Sequence, residues 1–241
     1  MKRQKKMNNY DTLEAKLEIK FKDRALLEKA FTHRSYLNEH RENGLENNER
    51  LEFLGDAVLE LIISSDLYKN YPEKPEGELT NIRAAVVRTE SLAEESRNLG
   101  FGEYLKMSKG EEDSGGKDKD YLLANTFEAV LGAIYLDQGF DVCVSYLSRT
   151  LLHKVSNIIE NNLFIDPKTQ AQELIQAQFK VTPLYEVVKE DGPDHDKIFT
   201  VALIVNQKEL GRGTGSSKQK AEEEAAKMAI ETINNKEKSL N

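Results

Sequence analysis

Cysteine occurs once in the 241 residues, at Cys143. An internal disulfide is therefore excluded, and a reducing, cytoplasmic setting is expected. Histidine is scarce too: His33, His40, His153 and His195 are scattered along the chain. With no His/Cys cluster a zinc site is excluded, and no serine, cysteine or histidine arrangement suggests a nucleophilic centre. His33, in "THRS", reads as a hydrogen-bonded structural residue, and Cys143, in "FDVCVSYL", as a small buried hydrophobe. No window approaches eighteen unbroken apolar residues, so no membrane partner is expected. The basic start "MKRQKK" has no apolar stretch behind it, which argues against a secretory signal. The net charge of −8 speaks superficially against a nucleic-acid partner. Where charge sits outweighs its sum, so that objection is weak.

What is present is globular in character: 39% apolar and 32% charged residues support a sizeable core. Residues 10–160 read as successive helices, among them "AKLEIKFKDRALLEKAFTH", the run 47–70, "GELTNIRAAVVRTESLAEESRNLG", "YLLANTFEAVLGAIYLDQG" and "FDVCVSYLSRTLLHKVSNII". Gly100, Gly110 and Gly139 sit where helices would stop, and Pro72 and Pro75 break the chain between two of them. The segment "KGEEDSGGKDKD", 109–120, reads as an exposed, mobile loop. After Pro167 the order becomes helix, three strand-like segments and a final helix. The expected fold is an all-α N-terminal domain over 8–160, a linker at 161–166, and an α+β domain of order α-β-β-β-α over 167–235.

The stretch "NNERLEFLGDAVLELIIS" carries Glu49, Glu52, Asp56 and Glu60 with no base to offset them beyond Arg50 at its start. At ~100° per residue these acids fall in one band roughly 80° wide. The plain alternative is a solvated helix face, but such faces usually mix signs for (i, i+4) support. In "YLLANTFEAVLGAIYLD", Asn125 and Glu128 are three apart on a helix that is apolar nearly all round, hence buried. A buried carboxylate must be paired or must hold a cation. Gly132, one turn on, would let another element come close. Two such helices suggest oxygen ligands converging on Mg2+, or Mn2+ as a substitute. Spacing alone cannot separate Glu60 from the other acids.

"NNERLEFLGDAVLEL" resembles the defining motif of the ribonuclease III family. The likeness runs through "AFTHRSYLNE", "EGELTNIRAAVV", "FGEYLKMSKGEEDSGG" and "FEAVLGAIYLDQG", while "KTQAQELIQ" and "GSSKQKAEEEAA" bracket a segment that resembles a double-stranded-RNA-binding domain. Nearly the whole chain is covered, in the bacterial two-domain arrangement. The resemblance implies a Mg2+-dependent endoribonuclease that cuts double-stranded RNA, leaves 5′-phosphate and 3′-hydroxyl ends with two-nucleotide 3′ overhangs, and processes ribosomal RNA precursors and other structured transcripts. It places metal ligands at Glu52, Asp56, Asn125 and Glu128, with Asp56 and Glu128 central to catalysis. Glu49 falls at the edge of the catalytic valley, behind the ligands, and Glu60 has no family role. Asn125 departs from the usual Asp, which removes a negative charge and should weaken metal affinity. A catalytically weakened double-stranded-RNA-binding protein is the alternative that this departure keeps open.

Cutting both strands needs two sites, and one chain supplies one, so a symmetric homodimer is expected. Phe53 matches the family residue that plugs into the partner subunit; the alternative is an ordinary core phenylalanine. In the second domain, "GSSKQK" sets Ser216, Lys218 and Lys220 at a helix N-terminus, where backbone N–H groups favour phosphate. Thr169, Gln172, Glu173 and Gln176 line one face of the helix before it. The resemblance puts Gln172 and Glu173 in the RNA minor groove and gives His195 a second minor-groove contact, a recognition of shape rather than sequence.

Overall fold

In the computed structural model, which describes residues 9–40, 44–193 and 197–238, the run 15–33 that reads as one helix folds as two. Helix α1 (Asn9–Leu17) ends where Glu18 turns to φ 55°. Helix α2 (Arg24–Ala30) begins after Asp23, whose carboxylate accepts the Ala25 N–H at 2.9 Å. Two acids hold the turn between them. Buried Glu14 accepts the Phe21 N–H at 3.0 Å and pairs with Arg24. Asp137 accepts the N–H of Lys22 at 2.9 Å and of Asp23 at 2.8 Å. Ile19 and Phe21 point inward within the turn, and so counterfeit the helical spacing of the sequence.

Next come α3 (Arg34–Glu39), α4 (Glu49–Asn70), α5 (Glu76–Val87) and α6 (Thr89–Leu99). Pro75 stands before α5, and Arg88, extended at ψ 151°, separates α5 from α6 within a segment that reads as continuous. Gly100 ends α6 in the left-handed region, φ 72°. The segment 109–120 corrects the expectation of a loop. It holds the short helix α7 (Lys109–Asp113), started by Ser108 accepting the Glu111 N–H at 3.3 Å, and a 3-10 turn at Gly116–Asp118. Lys119 closes this segment on Glu111 at 2.7 Å. Gly110 lies inside α7 rather than at a helix end.

Helix α8 (Asp120–Gln138) forms the centre of the first unit, with α2, α4, α6 and α9 (Phe140–Leu147) against it. Residues from Leu122 to Ile134 are buried apart from Asn125 and Glu128, as an all-round apolar pattern dictates. A π turn (Ser148–Leu152) and α10 (Lys154–Glu160) complete the unit, which ends at Phe164. Helices α4 and α8 meet backbone to backbone. A Cβ at Gly55 would lie 1.8 Å from the Glu128 carbonyl oxygen, and one at Gly132 would lie 2.2 Å from that of Leu51.

The second unit, from Ile165, contains α11 (Pro167–Phe179), β1 (Leu184–Asp191), β2 (Ile198–Val205), β3 (Lys208–Gly215) and α12 (Lys218–Lys238). The strands form an antiparallel sheet in the order β1-β2-β3. Asn206 and Gln207, both at positive φ, make the two-residue turn that suits the twist of a β2–β3 hairpin. Val201, Leu203 and Val205 share one core with Ala171 and Ile175 of α11 and with Ala225 and Ala229 of α12. The fold class is thus all-α followed by α+β, as the sequence suggests.

Candidate active site and duplex-binding face

The contact at Gly55 and Gly132 decides which side chains meet. On α4, Glu52 and Asp56 flank Gly55 by three residues and one; on α8, Glu128 supplies the carbonyl that Gly55 touches, with Asn125 one turn earlier. Glu128 is only partly exposed, and burial pushes its carboxyl up to about 8, with the charges of Asp56 and then Glu52 adding to the rise. Burial also raises the Glu52 carboxyl; Glu49 and Asp56 push the same way, and the Asn125 side chain pulls back by hydrogen bonding toward it. Glu52, Asp56 and Glu128 therefore lie near enough to raise one or both of their neighbours' carboxyls, while the uncharged Asn125 amide favours the ionised form of Glu52. Glu60, exposed further along α4, contributes to neither shift.

No base neutralises this cluster. Among the described residues Glu52, Asp56 and Glu128 have no ion-pair partner, while Glu49 alone reaches Arg34, at 3.6 Å. On the Glu52 and Asn125 side of the cluster a cleft of ≈ 280 Å³ opens, bordered also by His33, Arg34, Glu49 and Tyr121. The donor set is all oxygen, three carboxylates and an amide, which suits a hard divalent cation and not zinc. As the side chains stand, no three carboxylates among the described residues are gathered closely enough to bind one cation. His33 does structural work, as expected: it caps α3, its Nδ1 accepts the Ser35 N–H at 3.3 Å and bonds the Ser35 hydroxyl at 2.8 Å. Cys143 is buried.

Phe53 is not a core residue. It stands 80% exposed on α4, with Leu61 (56%) and Tyr68 (79%) further along the same side of the helix and Leu136 of α8 also uncovered. Beside Phe53 lies a hollow of ≈ 510 Å³ bordered by Lys29, Arg50, Leu54 and Leu136. Leu61 lies outside the acidic band of α4 and is nevertheless exposed. A helix with apolar residues in most directions does not announce which of them a neighbour will cover. The useful signal is that the residues left exposed, 53, 61 and 68, continue one stripe.

In the second unit, Thr169, Gln172, Glu173 and Gln176 form the exposed face of α11, opposite buried Ala171 and Ile175. Thr169 is partly engaged, its N–H and hydroxyl donating to Asp166 at 2.9 and 3.2 Å. At the start of α12 it is Ser217 that accepts the Lys220 N–H, at 3.2 Å, while Ser216, Lys218 and Lys220 are exposed. Lys218 Nζ lies 3.5 Å from Glu190 and 5.6 Å from the centre of the Phe199 ring. His195 lies outside the described residues. Of the acids after Lys220, Glu222 pairs with Lys168 at 2.5 Å and Glu224 with Lys227 at 3.5 Å.

Known proteins resemble the chain throughout. The Ribonuclease-III-like family profile matches residues 23–155, and the double-stranded RNA binding motif matches 167–233. Ribonuclease 3 of Streptococcus pneumoniae serotype 19F is 50% identical over 214 residues, 89% of this chain and 92% of that protein. Ribonuclease 3 of Streptococcus mutans is 50% identical over 228 residues, 92% of this chain and 97% of that one. Among solved structures, the nuclease domain of ribonuclease III from Campylobacter jejuni, described for flexibility in its region involved in dimer formation, matches with a TM-score of 0.55 and 40% identity. That match covers 59% of this chain and 95% of the other.

Proposed function

The chain belongs to the ribonuclease III family and is a double-strand-specific endoribonuclease with its own double-stranded-RNA-binding domain; we propose that it cuts with Mg2+ held by Glu52, Asp56, Asn125 and Glu128. The observation that carries this assignment is the state of Glu128: partly buried, raised to about 8 by its surroundings, and without a basic partner among the described residues. Such a carboxyl costs stability when ionised, and a bound cation is what would offset that cost.

Bound divalent cations would supply Lewis-acid chemistry at the phosphate and lower the pKa of attacking water. The chain's own residues do the rest. Glu52 and Asp56, a turn apart on α4, bring two carboxylates to one side of the cation site, and Glu128 and Asn125 bring an acid and an amide oxygen from α8. Asp56 and Glu128 are the two of these assigned to catalysis, and Glu49 steadies the rim through Arg34. Mn2+ shares the ligand preference and would substitute. Hydrolysis at the 3′ oxygen leaves 5′-phosphate and 3′-hydroxyl ends.

Two chains act together, each cutting one strand, and Phe53 plugs into the partner beside an apolar stripe that includes Leu61 and Tyr68. The exposure of this stripe supports that reading. Two offset cuts give the two-nucleotide 3′ overhang. The unit up to residue 160 does the cutting and dimerises, 161–166 links it to the next, and 167–235 holds the duplex. There Thr169, Gln172, Glu173, Gln176 and His195 face the minor groove, and Ser216, Lys218 and Lys220 face phosphates. Precursors of ribosomal RNA and other structured transcripts in the cytoplasm are the substrates this implies.

Purified chain, a long RNA duplex and Mg2+, with single-stranded RNA and no-metal controls, test the proposal on a sizing gel. Short duplex products that need the metal and carry 3′ overhangs are expected. A duplex that is bound yet stays whole would instead favour the weakened, binding-only protein that Asn125 keeps in view.

A further inference from the structure

Glu190, at the end of β1, is bracketed by two lysines. Its Oε1 lies 3.5 Å from Lys218 Nζ and its Oε2 lies 3.5 Å from Lys197 Nζ. The arrangement is built by the sheet: Glu190 pairs with Phe199 across β1 and β2, and the Phe199 ring lies under the Lys218 ammonium at 5.6 Å. A side chain from β1, a ring from β2 and the first residue of α12 thus come together where the helix N-terminus presents its N–H groups. Lys220, two residues on, has no acid partner among the described residues. All three charged side chains of the bracket keep contact with solvent: Lys218 is 57% exposed, Glu190 39% and Lys197 32%. Pairs this open are weak and exchangeable.

We propose that Glu190 is an internal competitor for the duplex, a carboxylate that occupies Lys218 and Lys197 until RNA phosphates displace it. This rests on the assignment of Lys218 to phosphate above, and adds to it the residue that sets its strength. The chemistry is a like-for-like exchange, one anionic oxygen for another on the same ammonium group. Binding therefore starts from lysines already satisfied, and the gain from each phosphate is reduced by the pair it replaces. A lone phosphate-bearing ligand wins little from that exchange, whereas a duplex that also meets α11 recovers the difference there.

The competitor also leaves a mark on salt dependence. Added salt weakens phosphate contacts, by about 0.9 in logarithmic slope for each phosphate neutralised. It equally weakens the Lys–Glu pairs that binding must break, and so cancels part of the loss. Removing the carboxylate should make binding tighter at low salt and more salt-sensitive.

The test uses the full-length chain without divalent metal, so that the probe, a synthetic RNA duplex, is bound and not cut. Glu190→Gln should bind about two- to fivefold tighter at low salt, the gain expected from releasing one or two exposed pairs, with a steeper salt slope. Glu231→Gln, which removes the same charge from an exposed position near the other end of α12, should change neither. Adding Lys197→Ala and Lys218→Ala to Glu190→Gln should erase the gain. The proposal is overturned if Glu190→Gln binds no tighter, if Glu231→Gln gains as much, or if the gain survives loss of both lysines. Lys218→Ala alone separates the two levels: if it weakens binding while Glu190→Gln has no effect, the phosphate assignment stands and the competitor falls. If it has no effect, both fall. Equal thermal unfolding of all variants by circular dichroism guards against a folding artefact.

Discussion

Replacing Glu128 by glutamine should abolish cleavage and yet stabilise the metal-free protein, by an amount that depends on pH. The carboxyl stands at about 8 in the folded chain against an ordinary 4.5. At ~1.4 kcal/mol for each tenfold change in a dissociation constant, the ceiling on that effect is about 5 kcal/mol. Glu128 keeps some contact with water, and screening there brings a working figure to roughly 2 kcal/mol. The sign follows from linkage. A carboxyl raised by folding adds stability while protonated, below about 4.5, and that stability is lost as the pH climbs through about 8. Glu128→Gln keeps the neutral shape and never ionises, so it should match the natural chain near pH 5 and exceed it near pH 9. For a unit of this size ~2 kcal/mol corresponds to about 4–8 °C in Tm. Scanning calorimetry of the full chain in chelator, at both pH values, reads this out, with the second unit as an internal reference. Mg2+ should then raise the Tm of the natural chain and leave the variant nearly unmoved. An equal gain at both pH values, or a loss near pH 9, would refute the view that burial and two neighbouring acids govern this side chain.

Asn125→Asp restores a charge to the cluster and should lower the Mg2+ concentration for half-maximal cleavage; an unchanged or higher requirement would remove Asn125 from the ligand set. Phe53→Asp puts a charge on the exposed stripe of α4 and should shift sedimentation from dimer toward monomer, with a loss of double-strand cuts; an undisturbed dimer would leave Phe53 without the assigned role. Asp137→Ala orphans two backbone N–H groups and should cost about 1–3 kcal/mol, lowering Tm with no change in the Mg2+ midpoint. Burial tends to raise the Asp137 carboxyl, but hydrogen bonds from the Lys22 and Asp23 N–H groups and from Gln138 bring it below its usual value. Its contribution is therefore present above the usual carboxylate range and lost as pH falls, so the gap between variant and natural chain should narrow in acid.

The architecture was legible where periodicity was strong. Helix α8 is apolar in so many directions that its burial could be read directly, and with it the strain on Glu128. The stop at Gly100 follows from local chemistry as well. What escaped the sequence depends on partners distant along the chain. The turn between α1 and α2 is held at Lys22 and Asp23 by Asp137, more than a hundred residues away, and Ile19 and Phe21 imitate helical spacing through it. The segment 109–120 looks like a loop because it is rich in glycine and charge, yet Ser108 caps a helix there and Lys119 ties it to Glu111. On α4, sequence could not tell covered leucines from Leu61, because coverage belongs to the neighbour. In the second unit, lysines and acids could be counted but not matched, and Glu190 gained meaning only once β1, β2 and α12 were brought together.

Where α4 crosses α8, peptide groups touch with nothing interposed. The distance between the two halves of the acidic cluster is consequently set like a machined joint, by parts that have no rotamers to change. Substitutions elsewhere in the core can soften the first unit and lower its melting point while the reach from Asp56 to Glu128 stays as it is. A single methyl group at Gly55 or Gly132 acts in the opposite way: it meets backbone at 1.8 or 2.2 Å, wedges the joint open, and shifts the spacing of the carboxylates together with the packing of α4 on α8.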